Sequence, residues 1–134
     1  MNGATFIVCV ICIIRKQDKI LIMKRSDDKC EDPGCWEMVA GKLEHNEKPY
    51  DAVCREVSEE TGLTVSTSKN PFYVFDWKVK KQNMLMLCYE GSYLSGDVSL
   101  SSEHTEYKWV TQAQLLEHVK YSEIGNVLAL LKKQ

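Results

Sequence analysis

Three glutamates, Glu56, Glu59 and Glu60, follow one another at gaps of three and one, directly after Arg55 and nine residues beyond Glu47. At about 100° per residue, helical gaps of three and four return to the same side, so the three carboxylates share one patch of a helix. Like charges at that spacing repel by a few tenths of a kcal/mol per pair, and nothing in local helix energetics rewards the arrangement. A hard divalent cation, Mg²⁺ or Mn²⁺, takes oxygen ligands and turns the repulsion into attraction. The plain alternative is a solvated acidic face.

The element that must carry these groups is legible from Asn46 to Thr61. Asn46 is a capping residue type, Pro49 is tolerated in a first turn, and Gly62 is placed to end the helix. On a wheel Tyr50, Val53, Cys54, Val57 and Thr61 form the core arc, and the glutamates fall on a neighbouring one. Around this helix, residues 4–14 read as a buried strand rich in Val and Ile, forming a hairpin with Ile20–Met23. Residues 26–34 read as an exposed loop, and Trp36 to Val39 as a short strand leading into Gly41. Residues 72–80 and 84–94 read as a second strand pair and Tyr107–Val110 as another strand. Thr111 is an N-cap for a helix carrying Leu115, Leu116 and Val119, and Ile124–Leu131 is a terminal helix. Strands in hairpins interrupted by helices predict an α/β (α+β) fold, a mixed sheet with helices on its faces.

The 134 residues suit one domain, residues 1–134, without linker or repeat. A net charge of −2 lacks the basic footprint of a polymer binder, so a nucleic acid polymer is not an expected partner. The apolar run Phe6–Ile14 has no preceding basic residue and is too short to span a bilayer, so no membrane partner and a cytoplasmic location are expected. Cys9 and Cys12 have a metal-knuckle gap, but on a strand they point to opposite faces. Cys30 and Cys35 have no second close pair to complete a zinc site. Reduced thiols are the reading for all six cysteines.

From Gly41 the chain gives five residues, Glu47, seven residues, then Arg55-Glu56-Val57-Ser58-Glu59-Glu60-Thr61-Gly62-Leu63. This resembles the full box of the Nudix hydrolase family (MutT-like), with every signature position present. A chance match at seven fixed positions is on the order of 10⁻⁸ per starting point. Weaker similarity runs through the strand before Lys24-Arg25, the approach Pro33-Gly34-x-Trp36, and the segment leading to Trp109-Val110-Thr111. The resemblance implies the Nudix fold, a mixed β-sheet sandwiched between α-helices. It implies Glu56, Glu59 and Glu60 as metal ligands, with the Ala40 carbonyl beside them, and Glu47 and Arg55 as supports orienting the carboxylates. Mg²⁺ or Mn²⁺ is the expected cofactor. Many relatives have Pro-Gly-Gly where this chain has Val39-Ala40-Gly41, but a backbone ligand does not depend on the side chain.

A diphosphate repels nucleophiles, and metal neutralises its oxygens and lowers the pKa of the attacking water. The implied reaction is metal-dependent cleavage of a diphosphate linkage in a small-molecule nucleotide. The general base is a helix glutamate, Glu59 among them, or a late-loop carboxylate. Ser102-Glu103-His104 resembles the loop where many members carry that base, so Glu103 is the first choice and Glu106 the reserve. Arg25 and Lys42 are candidate phosphate contacts, with Lys78 and Lys80 behind them. Among Trp36, Tyr73, Phe75, Trp77 and Trp109, Trp77 is the candidate to stack a base.

The proline of ADP-ribose hydrolases and the Pro- and Trp-rich motif of NADH hydrolases are absent from the corresponding segments. That favours a nucleoside triphosphate, oxidised or not, giving monophosphate and pyrophosphate. ADP-ribose or another nucleoside diphosphate derivative is the alternative substrate. A non-catalytic nucleotide sensor is disfavoured because every box glutamate is retained, and a diphosphate isomerase because the chain has little room for the needed insertions. Homodimerisation is left open.

Overall fold

The computed structural model describes residues 2–26, 34–119 and 122–131. Strands β1 (Ile7–Lys16) and β2 (Lys19–Arg25) form the first hairpin. Next come β3 (Trp36–Glu37) and β4 (Val39–Lys42), two strands where the sequence suggested one. Helix α1 (Pro49–Thr61) leads into β5 (Thr64–Thr67), β6 (Tyr73–Val79), β7 (Gln82–Ser95) and β8 (His104–Val110). Helices α2 (Gln112–His118) and α3 (Ile124–Ala129) follow. β1 outruns the expected residues 4–14 at its far end because Arg15 and Lys16 pair with Ile20 and Lys19. β5 was not expected: Thr-Val-Ser-Thr carries no apolar run, and its pairing with β7 defines it.

The eight strands form one mixed sheet. β1 runs parallel to β7 from Ile7↔Met84 to Arg15↔Ser92, while its other side is shared by β4 and, at its end, β2. Alternation along β1 divides the core. Cys9, Ile11 and Ile13 join Leu115, Ile124, Val127 and Leu128 of α2 and α3 on one face. Val10, Cys12 and Ile14 join Ala52, Val53 and Val57 of α1 on the other. The sheet therefore lies between helices, as the pattern implied.

Cys9 and Cys12 point to opposite faces, and burial pushes the Cys12 thiol up to about 12. Cys9, Cys12, Cys54 and Cys88 are free. Cys35 corrects the reduced-thiol reading, because it is disulfide-bonded. Pro33, Cys30 and most of the expected 26–34 loop lie outside the described residues. Among the described residues, no helix is long and apolar enough to cross a membrane.

Candidate active site

Helix α1 starts later than expected. Lys48 occupies the N-cap without a side-chain bond, Pro49 opens the helix, and Asn46 sits in the preceding turn at φ 64°. Capping is replaced by a carboxylate clamp: Glu47 accepts the Glu44 N–H at 2.9 Å and takes two bonds from Arg55, Nε at 2.8 Å and Nη2 at 2.9 Å. At the other end Gly62, at φ 69°, donates its N–H to the Ser58 carbonyl, the left-handed stop that glycine provides.

Arg55 is the hub. Beyond Glu47, its Nη1 reaches Glu56 at 2.7 Å and Glu59 at 3.2 Å, and its Nη2 reaches the Lys42 carbonyl at 3.2 Å. Arg55, with the Glu44 N–H, holds the Glu47 carboxyl down to about 2, and Glu47 and Glu56 raise the Arg55 pKa in turn. One guanidinium thus fastens the loop after β4 to the acidic face of α1.

The wheel put the glutamates beside the core arc; the structure corrects this for two of them. Glu56 and Glu60 are 9% and 2% exposed, because β4 lies over that arc, whereas Tyr50 is exposed and Glu59 faces solvent. Gly41 makes room: a Cβ there would overlap the Glu56 carboxylate. Burial raises the pKa of Glu60, Glu56 and Glu37 add to the effect, and the Ala40 N–H opposes it. Glu60 Oε1 is buried without a hydrogen-bond partner. In a strand the N–H and C=O of one residue leave on the same side, so the Ala40 carbonyl also faces this edge. Val39 needs no special backbone, since it packs at 1% exposure against the α1 side of the core. Among the described residues, no three His, Cys, Asp or Glu side chains are already gathered to hold a metal ion. Glu59 is turned toward Arg55.

Two residues without an assigned role join this region. Glu37, on β3, accepts a bond from Arg25 Nη1 at 3.1 Å, and the same oxygen lies 2.8 Å from His104 Nε2. His104 is 4% exposed and its Nδ1 is buried without a hydrogen-bond partner. Their separation of 67 residues hid the contact. Only buried polarity at a sheet position, Glu37 two residues before Val39, was available as a signal.

Arg25, Lys42 and Trp77 line one cleft of about 240 Å³ with Cys9, Ala40, Gly41, Val79, Met84 and Met86. A larger depression of about 680 Å³ lies between the β1–β2 turn and α2 and α3, and none of its lining residues belongs to α1 or β4. The other aromatic candidates are engaged elsewhere. Phe75 is buried, Trp36 packs edge-on to His118, Trp109 packs edge-on to Tyr93, and Tyr73 donates its hydroxyl to Glu123. Glu103 is exposed in the turn before β8, with its carbonyl accepting from Ser26 N–H. Glu106 pairs with Lys24 at 3.3 Å.

A family model described as NUDIX domain matches residues 5–131. A MutT-like protein of Streptomyces ambofaciens is 29% identical over 80% of this chain and 64% of its own length. The NAD-capped RNA hydrolase NudC of Photobacterium profundum is 30% identical over 90% of this chain and 43% of its own length. The chain thus spans less than two thirds of these relatives. Among solved structures, a MutT protein from Methanosarcina mazei superposes with a TM-score of 0.83 at 26% identity, covering 97% of this chain and 96% of that one. A C. elegans Ap4A hydrolase binary complex has the same fold, with a TM-score of 0.81 at 20% identity over 92% and 93% of the two chains. The matched span holds the β4 strand, the Arg55 clamp and both faces of the sheet, and the chain belongs to the NUDIX domain family.

Proposed function

We propose that this chain is a divalent-metal-dependent pyrophosphohydrolase that converts a nucleoside triphosphate to its monophosphate and pyrophosphate. The observation that carries the reading is the buried pair Glu56 and Glu60, with Glu60 Oε1 lacking any partner among neighbouring groups. Buried carboxylates are retained at such cost when something of opposite charge completes them. Hard oxygen donors on one helix face, with a strand carbonyl beside them, suit Mg²⁺ or Mn²⁺.

Glu56, Glu60 and the Ala40 carbonyl would hold the ion, joined by Glu59 after a rotamer change that its exposure permits. Bound there, the ion supplies charge neutralisation at the diphosphate and acidifies the attacking water. Arg55 and Glu47 keep the glutamate side chains oriented. Arg25 and Lys42 receive the phosphate charge, and Trp77 offers its face to the base. Glu103 takes the proton of the attacking water from the turn before β8. The roles of Arg25, Lys42 and Trp77 rest on the cleft that they share, and those of the glutamates and Arg55 on family resemblance. The relative described as nucleoside triphosphatase NudI, from Escherichia coli, is 24% identical over 81% of this chain and supports the choice of substrate class.

The test is release of phosphate and pyrophosphate across nucleoside triphosphates, oxidised ones included, with ADP-ribose, NADH and dinucleoside polyphosphates alongside. The expected outcome is pyrophosphate from a triphosphate with the highest kcat/KM. Preference for ADP-ribose would transfer the reading to nucleoside diphosphate derivatives. Nucleotide binding without turnover of any compound would replace the enzyme by a sensor.

A further inference from the structure

The outer edge of β6 has a charge pattern that suits only one pairing with itself. The loop Lys80-Lys81 closes the β6–β7 hairpin on the pair Val79↔Gln82. In a two-residue hairpin the closing pair exchanges hydrogen bonds, and alternate pairs do the same. Tyr73, Phe75, Trp77 and Val79 therefore turn their backbone groups to β7, and Val74, Asp76 and Lys78 turn theirs outward. Among the described residues, no strand pairs with β6 on that side. Val74 is 47% exposed, and Asp76 and Lys78 are exposed as well. An open edge of this kind is a template for another strand.

A second copy related by a two-fold axis must set outward residues opposite outward residues, so the axis passes through one of residues 74 to 78. An axis at 74 sets Val74 against itself and leaves Asp76 and Lys78 without an opposite charge. An axis at 76 sets Asp76 against itself, and one at 78 sets Lys78 against itself; directly opposed like charges destabilise a strand pair. An axis at 75 sets Val74 against Asp76 and leaves Lys78 without a carboxylate opposite. An axis at 77 sets Asp76 against Lys78 twice, once from each copy, and brings the two Trp77 residues together as a close cross-strand pair.

We propose that β6 is the dimerisation edge of this protein, pairing antiparallel with β6 of a second copy in the register centred on Trp77. The occupant is a second copy because the complementarity is reciprocal and lies within five residues. The sheet then runs unbroken through both subunits. Because Trp77 also lines the cleft, each cleft is bordered by Trp77 of the partner subunit. The inference does not depend on the proposed reaction.

Sedimentation velocity over low-micromolar to near-millimolar protein tests it, using wild type, Asp76→Lys and Lys78→Asp. Wild type should approach twice 15.4 kDa as concentration rises, and each variant alone should need at least about tenfold more protein to dimerise. The first variant carries lysine at positions 76 and 78, and the second carries aspartate at both. Mixing them sets two ammonium groups of one chain against two carboxylates of the other, so the mixture should regain dimer near the wild-type midpoint. That regain also shows both variants to be folded. A wild type that stays monomeric throughout, or variants that dimerise as well as wild type, or a mixture no better than its components, would overturn the proposal.

Discussion

Burial keeps the proton on Glu60 above the ordinary carboxylate value of 4.5, with Glu56 adding to the effect. The unfolded chain releases that proton near 4.5, so at higher pH the native state binds more protons than the unfolded one and stability falls as pH rises. Glu60→Gln abolishes this titration. In EDTA, the wild-type melting temperature should decline more than that of the variant from about pH 5 to about pH 8; parallel curves would contradict the assignment. Gly41→Ala tests the neighbouring contact, since its Cβ would displace the Glu56 carboxylate. The expected loss in Mn²⁺ affinity and turnover is roughly 10- to 100-fold, as for disturbed supports of metal sites, and unchanged affinity by calorimetry would count against Glu56 as a ligand. At this scale the spacing of Glu56, Glu59 and Glu60 was legible, because it follows from helix geometry alone. Their differing burial was not, because it depends on β4 crossing over one part of the arc. The Glu37–His104 contact was hidden for the same reason: only the sheet brings β3 and β8 to either edge of β2.

Among the elements, α2 was read best because its signal is local. Thr111 accepts the Gln114 N–H at 3.2 Å, and the Gln114 side chain accepts the Thr111 N–H at 2.9 Å, a complete capping box. Thr111→Ala should lower stability by about 1 kcal/mol in urea denaturation and leave turnover unchanged, because no residue of α2 lines the cleft of Arg25, Lys42 and Trp77. A loss of turnover in folded protein would show α2 and that cleft to be coupled. Helix α1 was misread at its start because Asn46 is a capping type, whereas the chain uses Pro49 and the Glu47–Arg55 clamp. β5 escaped because a short polar strand is specified by its partner, here Val65↔Tyr93 and Thr67↔Gly91 along β7.

For the whole molecule, alternation along β1 separates two cores, and the carboxylates lie where the α1 core meets β4. Gly41 faces Glu56, while Ala40, Gly41 and Lys42 also line the cleft with Arg25 and Trp77. The groups proposed to bind the ion and those proposed to bind substrate therefore meet at adjacent residues of β4, which gives the proposed reaction its geometry. The most direct test of this account is pyrophosphate release from a nucleoside triphosphate by wild type and by Glu59→Gln, each with Mg²⁺, with Mn²⁺ and with EDTA. The account predicts turnover by wild type with either ion, none in EDTA, and a loss of at least about a hundredfold in the variant with its fold intact. Turnover that survives EDTA, or a variant as active as wild type, would contradict it.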